Sequence, residues 1–437
     1  MQQKLKLPFF FILLVAGLLF CLGFSPPAQT RQFPAQGAAG AEVSSLQENL
    51  RQLGYFQAFA TGYFGPLTDY AVRTLQKDYG LFPDGIVGPQ TKAMIAYLLQ
   101  NQQNRQRIVQ GYFTGAEGPL PSSAPTLFKR GGSLTTVAPF WYQLAPQGNG
   151  RINLHAEVTR KEINDLLRAA GEQNVKVLAL VHNLVYNSSV NGREVAHRVL
   201  ASKENRRALI NNILQVIREY GLAGVEIDIE NIYPQDRQLF NQFIRELAGA
   251  LAGGNYYLSV ALPARLDGQT GISWSDSFDY STVGFLADQV VIMAYDEHGV
   301  FGGAGPIASL PWVEKVILSV LKEIPPAKVV LGIPAYGFDW STGQPSPRYI
   351  SYSLARETAA FYQIAIRWDE WAQVPFFTYT DENGACHEVY FENASSWAGK
   401  LDLVAKYNLR GVAIWRLGLE DPQGWEVLKS KFPVRKL

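Results

Sequence analysis

Residues 222–231 read LAGVEIDIEN and place three acids at alternate positions, with β-branched residues between them. Side chains of a β-strand point to opposite faces in turn, so the acids share one face and the aliphatic residues share the other. In isolation, an edge strand with a solvated polar face is the simplest interpretation of this pattern. The three acids are Glu226, Asp228 and Glu230.

The sequence on either side favours a buried position for this strand. Helical stripes of apolar residues precede it in 205–222 and follow it in 235–252, and Gly221 ends the first stripe. A short strand between two amphipathic helices is typical of a parallel sheet, whose strands are covered on both faces. Three carboxylates inside such a fold would repel one another and lose hydration, so the pattern predicts a functional site.

The alternation of strands and helices continues through residues 131–437. Strands are predicted for LTTVAPFW, VKVLALVH, GVEIDIE, YYLSVALP, QVVIMAYD, KVVLGIPA and GVAIWRL. A series of this length in about 300 residues is typical of an α/β fold, the (β/α)8 TIM barrel, and a doubly wound open sheet is the alternative. The rhythm breaks in residues 345–395, which predict a small α+β insertion before the last strand.

Composition excludes several classes of protein. The 437 residues carry 39 Lys and Arg against 38 Asp and Glu, a formal charge of +1 that argues against a nucleic-acid partner. One of the two cysteines lies inside the N-terminal apolar run, so a disulfide framework is excluded. The five histidines show no ligand spacing, and we therefore expect no metal and no cofactor.

Residues 1–28 predict export. Lys4 and Lys6 precede an apolar run that extends from about residue 7 to residue 24, the pattern of a secretory signal peptide. The run is also long enough to remain as an uncleaved membrane anchor. In both cases we expect a protein that acts outside the cytoplasm, and we expect a monomer.

Residues 42–100 predict a small three-helix domain with an internal repeat. GYFGPLTDYAVRTLQ from Gly62 matches GIVGPQTKAMIAYLL from Gly85, and both copies place a glycine–proline turn before a helical stripe. The segment resembles the peptidoglycan-binding module of bacterial wall enzymes. That resemblance implies attachment to peptidoglycan, with the turns around Asp84 and Gly85 as candidate contacts. Residues 101–130 are polar and rich in Pro, Gly and Ser, which predicts a linker.

A second resemblance covers the predicted barrel. GVEIDIEN resembles the D-G-x-D-x-D-x-E signature of family 18 glycoside hydrolases, the chitinase-like barrels, and MAYD and the tryptophan of GVAIWRLG follow in the expected order. With MAYDEHG, LGIPAYGFDW and the N-terminal module, the chain resembles the spore-germination, cortex-lytic branch of that family. Ala223 and Glu226 depart from the signature, so the role of Glu226 stays open.

The resemblance implies catalytic roles for three residues. Glu230 is the general acid that protonates the leaving glycosidic oxygen and later activates water. Asp228 holds the N–H of the substrate's 2-acetamido group, so that the amide oxygen attacks the anomeric carbon and no carboxylate nucleophile is required. Tyr295 donates a hydrogen bond to the acetamido oxygen.

Further residues are predicted to bind the sugar. By the same resemblance, Asp296 contacts it, Met293 lies beneath these groups, and Trp415 forms the floor by stacking. The remaining candidates follow predicted strands or lie on them, and for the aromatic ones plain packing is the alternative. They are Glu226, Trp141, Tyr142, Tyr336 and Asn183.

These observations predict a secreted hydrolase of β-1,4 bonds in N-acetylhexosamine glycans. The first hypothesis is an N-acetylglucosaminidase whose partner is the peptidoglycan of the spore cortex or cell wall. A chitinase is the second hypothesis, although the N-terminal module fits a wall better than chitin. The third is a non-catalytic glycan-binding protein on the same barrel, which the substitutions at Ala223 and Glu226 keep open.

Overall fold

The structure is a computed structural model that describes residues 33–56, 58–100, 105–184, 190–268 and 273–437. The predicted export signal, residues 1–28, lies outside these ranges. Among the helices of the described ranges, none is long and apolar enough to cross a membrane.

The chain alternates strands and helices after an all-helical start. The strands are β1 (Ile108–Phe113), β2 (Thr136–Pro139), β3 (Tyr142–Leu144), β4 (Ile152–Leu154), β5 (Lys176–His182), β6 (Gly224–Asp228), β7 (Tyr257–Pro263), β8 (Gln289–Met293), β9 (Val329–Pro334), β10 (Tyr336–Ser341), β11 (Arg348–Ser351), β12 (Arg367–Asp369), β13 (Val374–Thr380), β14 (Cys386–Tyr390) and β15 (Gly411–Trp415). The helices are α1 (Ala41–Gln52), α2 (Pro66–Asp78), α3 (Pro89–Gln100), α4 (Ala124–Arg130), α5 (Arg160–Glu172), α6 (Gly192–Ala201), α7 (Lys203–Tyr220), α8 (Arg237–Ala252), α9 (Ser273–Asp276), α10 (Tyr280–Leu286), α11 (Leu310–Val320), α12 (Tyr352–Phe361), α13 (Ala394–Lys406) and α14 (Gly424–Lys431).

Eight parallel strands close into a barrel. Their hydrogen-bonded order is β2-β1-β15-β9-β8-β7-β6-β5, and a further pairing of β2 with β5 completes the ring. A hairpin of β3 and β4 extends the sheet beside β5. Helices follow the strands and cover the outside, so the predicted (β/α)8 barrel is confirmed and the open-sheet alternative is wrong.

The barrel is filled by side chains, as its size requires. Val225 and Ile227 of β6 point outwards to the helices and join the main hydrophobic core, whereas Glu226 of the same strand points inwards. The interior also holds small and aliphatic side chains and one tyrosine, from seven of the eight strands: Ile108, Tyr112, Ala138, Leu180, Ala261, Val291, Val330 and Ala413.

The predicted linker at 101–130 is wrong for two of its segments. Residues 108–113 form β1, which is paired with β2 on one side and β15 on the other, and α4 occupies residues 124–130. The Pro-, Gly- and Ser-rich stretch is only the loop that joins these two elements. The barrel therefore begins at β1 and not at residue 131.

The predicted insertion before the last strand is present. It forms a separate antiparallel sheet in the order β11-β10-β14-β13-β12, with α12 packed beside it. It starts at Tyr336 and not at residue 345, because the chain leaves the barrel after Pro334 and continues directly into β10.

Helices α1, α2 and α3 form the small N-terminal domain around its own hydrophobic core. Two buried glutamines explain the sequence repeat. Gln47 of α1 accepts a hydrogen bond from Gly62 N at 2.9 Å, and Gln76 of α2 accepts one from Gly85 N at 2.9 Å. Each glutamine therefore holds the turn that precedes the next helix.

The small domain is docked against the barrel through buried polar contacts. Asp78 accepts hydrogen bonds from Arg410 at 2.9 Å and from Tyr55 at 2.8 Å, and the Asp78 and Arg410 side chains are 9% and 4% exposed. Lys77 pairs with Asp288. Arg410 and Asp288 directly precede β15 and β8, so the contact lies at the amino-terminal ends of the barrel strands.

Candidate active site

Strand β6 carries the acids into the barrel. Glu226 and Asp228 lie on the strand and are 0% and 4% exposed, and Glu230 follows it in the loop at the carboxyl end. The predicted alternation is therefore correct for the strand. It delivers one acid to the interior and two to the mouth, where the active sites of barrels are found.

Glu226 lies below the mouth in a polar network inside the barrel. Its carboxylate accepts hydrogen bonds from Tyr112 Oη at 3.1 Å and from Gln110 Nε2 at 3.2 Å. Gln110 is held in turn by Gln289, whose amide donates to it at 2.8 Å and to Ser259 at 2.9 Å. Burial raises the pKa of Glu226 to about 7, although hydrogen bonds from its neighbours oppose this shift. The structure thus places Glu226 in the barrel interior below Asp228, and its predicted contact with sugar stays a prediction.

Asp228 and Glu230 share a hydrogen bond and compete for one proton. Burial raises the pKa of Asp228 to about 6. Burial and then the Asp228 charge raise the pKa of Glu230 well above its ordinary value. Of the two, Glu230 is therefore the acid that holds a proton more strongly and Asp228 the one that ionises first, which suits an acid beside a hydrogen-bond acceptor.

Asn183 fixes the main chain of Glu230. Its Oδ1 accepts from Glu230 N at 2.8 Å, and its Nδ2 donates to Glu230 O at 2.8 Å and to Gly192 O at 3.2 Å. Asn183 is 2% exposed, and its amide is used by these contacts. The structure gives this residue a positioning contact, and its predicted contact with sugar stays a prediction.

Tyr295 and Asp296 follow β8 and face the acids. Burial, and then the charges of Asp228 and Glu230, raise the pKa of Tyr295, so its hydroxyl stays protonated and can donate. Asp296 accepts a hydrogen bond from Tyr336, whose buried ring stacks on Tyr349 at 4.4 Å. The structure therefore makes Tyr336 a support for Asp296.

Gly332 of β9 leaves room for the Tyr295 ring. A Cβ atom at this glycine would lie 3.1 Å from Tyr295 Cε1 and 2.6 Å from Ile292 O. A larger residue would displace Tyr295 or the neighbouring strand, so the glycine contributes to the geometry of the site.

Trp415 ends β15 and forms an aromatic floor with two other rings. It packs edge-on against Tyr112 at 5.2 Å and against Phe140 at 5.5 Å. Met293 is half-buried against the same interior cluster. Phe140 stacks on His182 at 3.9 Å, and burial lowers the pKa of His182 to about 3, so that this imidazole is neutral.

The two aromatic residues after β2 have different positions. Trp141 is 5% exposed, packs edge-on against Phe113 at 6.0 Å and lines a cavity beside the mouth. Tyr142 belongs to β3 and points to α7, where Tyr220 and Glu219 raise its pKa further beyond the effect of burial. Tyr142 is therefore a packing residue on the helix side of the sheet, and the structure does not bring it to the sugar.

The N-terminal domain has a groove of its own. A cavity of about 650 Å³ is lined by residues that include Tyr63, Arg73, Asp84, Gly85 and Ile86. The predicted contacts at Asp84 and Gly85 thus lie on an open groove. Among the described residues, no group of three or more His, Cys, Asp or Glu is arranged to hold a metal ion.

Gln110, Tyr112 and Tyr349 belong to the site and were not predicted. Gln110 and Tyr112 fall in the segment assigned as a linker, and Tyr349 lies in the insertion. The apolar run IVQGYF would have predicted an additional strand, because a closed barrel requires eight and only seven were found.

A closed (β/α)8 barrel with two coupled carboxyl groups and an aromatic floor at its mouth defines a glycoside hydrolase. The chain belongs to glycosyl hydrolases family 18, whose family model matches residues 122–420. A second model, a putative peptidoglycan binding domain, matches residues 39–95. The predictions of an enzyme, of its family and of the N-terminal module are confirmed.

Relatives with sequence similarity include two proteins of Bacillus subtilis. The chain is 32% identical over 308 residues to the putative sporulation-specific glycosylase YdhD of Bacillus subtilis, across 69% of this chain and 70% of that protein. It is 34% identical over 279 residues to the cortical fragment-lytic enzyme of the same organism, across 63% of this chain and 64% of that protein.

Solved structures agree with this family assignment. The spore cortex-lytic enzyme SleL of Bacillus megaterium QM B1551 matches with a TM-score of 0.69 and 28% identity, over 76% of each chain. A chitinase from Chromobacterium violaceum matches with a TM-score of 0.68 and 27% identity, over 74% of this chain and 98% of that one.

Proposed function

We propose that this enzyme is exported and hydrolyses β-1,4 bonds after N-acetylglucosamine in the peptidoglycan of the spore cortex or cell wall. The single observation that carries the chemistry is the buried pair Asp228 and Glu230 at the carboxyl end of β6, in which the Asp228 charge adds to the effect of burial and raises the pKa of Glu230. The N-terminal domain and the cortex-lytic relatives support peptidoglycan as the substrate.

The first half of the reaction is acid-assisted departure of the leaving group. Glu230 transfers its proton to the glycosidic oxygen, and the bond from that oxygen to the anomeric carbon breaks. The 2-acetamido oxygen of the same sugar forms the new bond to that carbon, which gives a cyclic oxazolinium ion. Asp228 accepts the amide N–H and stabilises the positive charge that develops there.

The second half restores the sugar with retention. Glu230, now a carboxylate, takes a proton from water as the water oxygen attacks the anomeric carbon, and the ring opens to the free 2-acetamido sugar. Tyr295 is placed to donate to the acetamido oxygen. Trp415 provides the stacking floor that keeps the sugar oriented between the two acids.

Asn183 and the Glu226 network support this chemistry from outside the reacting atoms. Asn183 holds the main chain of Glu230. Glu226 lies beneath Asp228 in a network with Gln110 and Tyr112, which can supply or hold a proton without a direct contact to sugar. The network is consistent with a glutamate at position 226, whose side chain is longer than that of the aspartate in the family signature.

Chitin is the second candidate substrate. The groups at the mouth address only a 2-acetamido sugar, which chitin also provides, and the Chromobacterium violaceum chitinase matches the barrel over nearly its whole length. The N-terminal domain favours the first candidate, because a peptidoglycan-binding domain fits a cell wall better than it fits chitin.

Digestion of purified cortex peptidoglycan, followed by mass analysis of the new reducing ends, tests the proposal. We expect N-acetylglucosamine at these ends, and we expect Glu230→Gln to remove activity. Glu172→Gln, an exposed glutamate at the end of α5, is the matched control and retains activity. Muramic acid at the new ends, or cleavage of chitin alone, contradicts the proposed specificity.

A further inference from the structure

A side cavity of about 630 Å³ opens beside the aromatic floor of the active site. Phe140 forms part of its wall and also packs edge-on against Trp415 at 5.5 Å. The cavity is therefore continuous with the surface on which the cleaved sugar stacks. Its volume is within the range of ligand-binding pockets in proteins.

The side cavity leads away from the mouth and into the helix layer. Leu127 and Phe128 of α4 and Leu166 of α5 line it, and these helices cover the outside of the barrel next to β1 and β2. An unbranched glycan that crosses the mouth has no group to place in this direction. A substituent that projects from the neighbouring sugar would extend into it.

The charges around the side cavity select against an anion. Four acids line it, and none of its described lining residues is Lys or Arg. Asp165 is paired with Lys161 and Arg168, and Glu162 caps α5. The exposed acids Glu117 and Glu157 line the opening, where Glu157 lies 3.5 Å from His155 Nδ1, and both carboxylates would repel a further one.

This combination matches one feature of peptidoglycan. When N-acetylglucosamine occupies the reacting position, both of its neighbours in the alternating polymer are N-acetylmuramic acid, which carries a 3-O-lactyl group. The free lactyl group is an anion, and the same group in amide linkage is neutral and has apolar methyl substituents. The apolar side chains of Leu127, Phe128 and Leu166 accommodate the methyl groups of the amide, and the acids at the opening disfavour the free acid.

We propose that the side cavity binds the amide-linked 3-O-lactyl substituent of the muramic acid next to the cleaved N-acetylglucosamine. The amide is provided either by the first alanine of a stem peptide or by an internal lactam. The inference rests on the proposed function, because it takes the neighbouring sugar to be muramic acid. The side cavity would then be the part of the enzyme that distinguishes peptidoglycan from chitin.

A binding measurement tests the proposal without relying on hydrolysis. Calorimetry on the full chain with N-acetylmuramoyl-L-alanine amide, with a muramic lactam and with N-acetylmuramic acid compares the two amides with the free acid. We expect at least one amide to bind about tenfold more tightly than the free acid. Equal affinity for all three compounds, or tighter binding of the free acid, overturns the proposal.

Two variants connect the binding to the side cavity. Ala156 is exposed and lines it, so Ala156→Trp should fill it and abolish the preference for the amide, whereas Ala252→Trp at the exposed end of α8 is the matched control. Glu157→Lys should remove the discrimination against the free acid. A preference that survives Ala156→Trp contradicts the assignment to this cavity.

Hydrolysis rates separate this proposal from the proposed function. Ala156→Trp should cleave N-acetylglucosamine oligosaccharides within about twofold of the wild-type rate and lose activity on amide-bearing glycan strands. Equal loss on both substrates shows damage to the catalytic centre and overturns the cavity assignment. The wild type could instead bind the amides as expected and cleave chitin oligosaccharides but not glycan strands. That result contradicts only the proposed function.

Discussion

Replacement of Asn183 by alanine tests whether the main chain of the catalytic acid must be held in place. The change removes the acceptor for Glu230 N and the donor for Glu230 O, each at 2.8 Å. Each hydrogen bond contributes about 1 kcal/mol to stability, so we expect a loss of about 2 kcal/mol in the free energy of unfolding. The larger effect should be on catalysis, because the acid is no longer fixed against the glycosidic oxygen.

We expect kcat to fall by roughly two orders of magnitude, which is the usual cost of a displacement of about 1 Å in a catalytic group. KM should change little, because Asn183 is buried and its amide is used by main-chain groups. The assay is hydrolysis of a soluble N-acetylglucosamine oligosaccharide, with thermal unfolding measured on the same samples.

Asn212→Ala is the matched control for this experiment. The Asn212 amide also donates to two main-chain carbonyls, Gly150 O at 3.1 Å and Ala208 O at 2.8 Å, but it lies on α7 away from the acids. The control should lose stability and keep its kcat. A normal kcat in Asn183→Ala, or an equal loss in both variants, refutes a positioning role.

Three further predictions follow from the buried charges. Hydrolysis should decline as pH rises and Glu230 loses its proton. The Asp228 charge raises the pKa of Glu230, so Asp228→Asn should shift the alkaline limb of the pH profile of its residual kcat to lower pH. An alkaline limb at the same pH in the variant contradicts an interaction between the two acids. Because burial raises the pKa of Glu226 from 4.5 to about 7, the folded state retains a proton that the unfolded state releases over this range, and stability falls as pH rises. Glu226→Gln should remove this loss of about 3 kcal/mol. The free energy of unfolding of the variant, measured with urea, should therefore rise relative to that of the wild type between pH 4 and 7.5. Parallel pH profiles of the two free energies contradict the prediction. Asp78→Ala should lower the free energy of unfolding by about 3–5 kcal/mol, because it leaves the Arg410 charge buried without its carboxylate. Adding Arg410→Met in the same chain should recover part of that loss. A loss below about 1 kcal/mol for Asp78→Ala would show that the Asp78–Arg410 pair is exposed to solvent.

Local patterns were sufficient to predict most of the barrel and the centre of its site. Apolar runs with β-branched residues identified seven strands, and the alternation in β6 placed Asp228 and Glu230 side by side. The first strand was missed because its six residues lie between a polar stretch and a loop rich in Pro, Gly and Ser, so that composition concealed it. This strand is covered on one side by its pairing with β15, which is distant in sequence.

Roles that depend on contacts distant in sequence could not be predicted. Asn183 precedes Glu230 by 47 positions, and nothing in the local pattern indicates that its amide is used by that main chain. The same limit applies to Tyr336, whose hydroxyl bonds Asp296 across 40 positions. The orientation of Tyr142 depends on the hairpin of β3 and β4, which three-residue strands do not reveal in sequence.

The docking of the N-terminal domain changes how its function must be tested. It contacts the amino-terminal ends of the barrel strands, and the catalytic acids lie at the carboxyl ends, separated by the roughly 17 Å length of a five-residue strand. The N-terminal domain is therefore docked at the end of the barrel opposite the catalytic acids. Deletion of residues 42–100 would also expose Arg410 and Asp288 without their partners, so a loss of activity would not isolate wall binding. Substitution of an exposed groove residue such as Tyr63 in the full chain keeps the docking contacts and isolates the binding step.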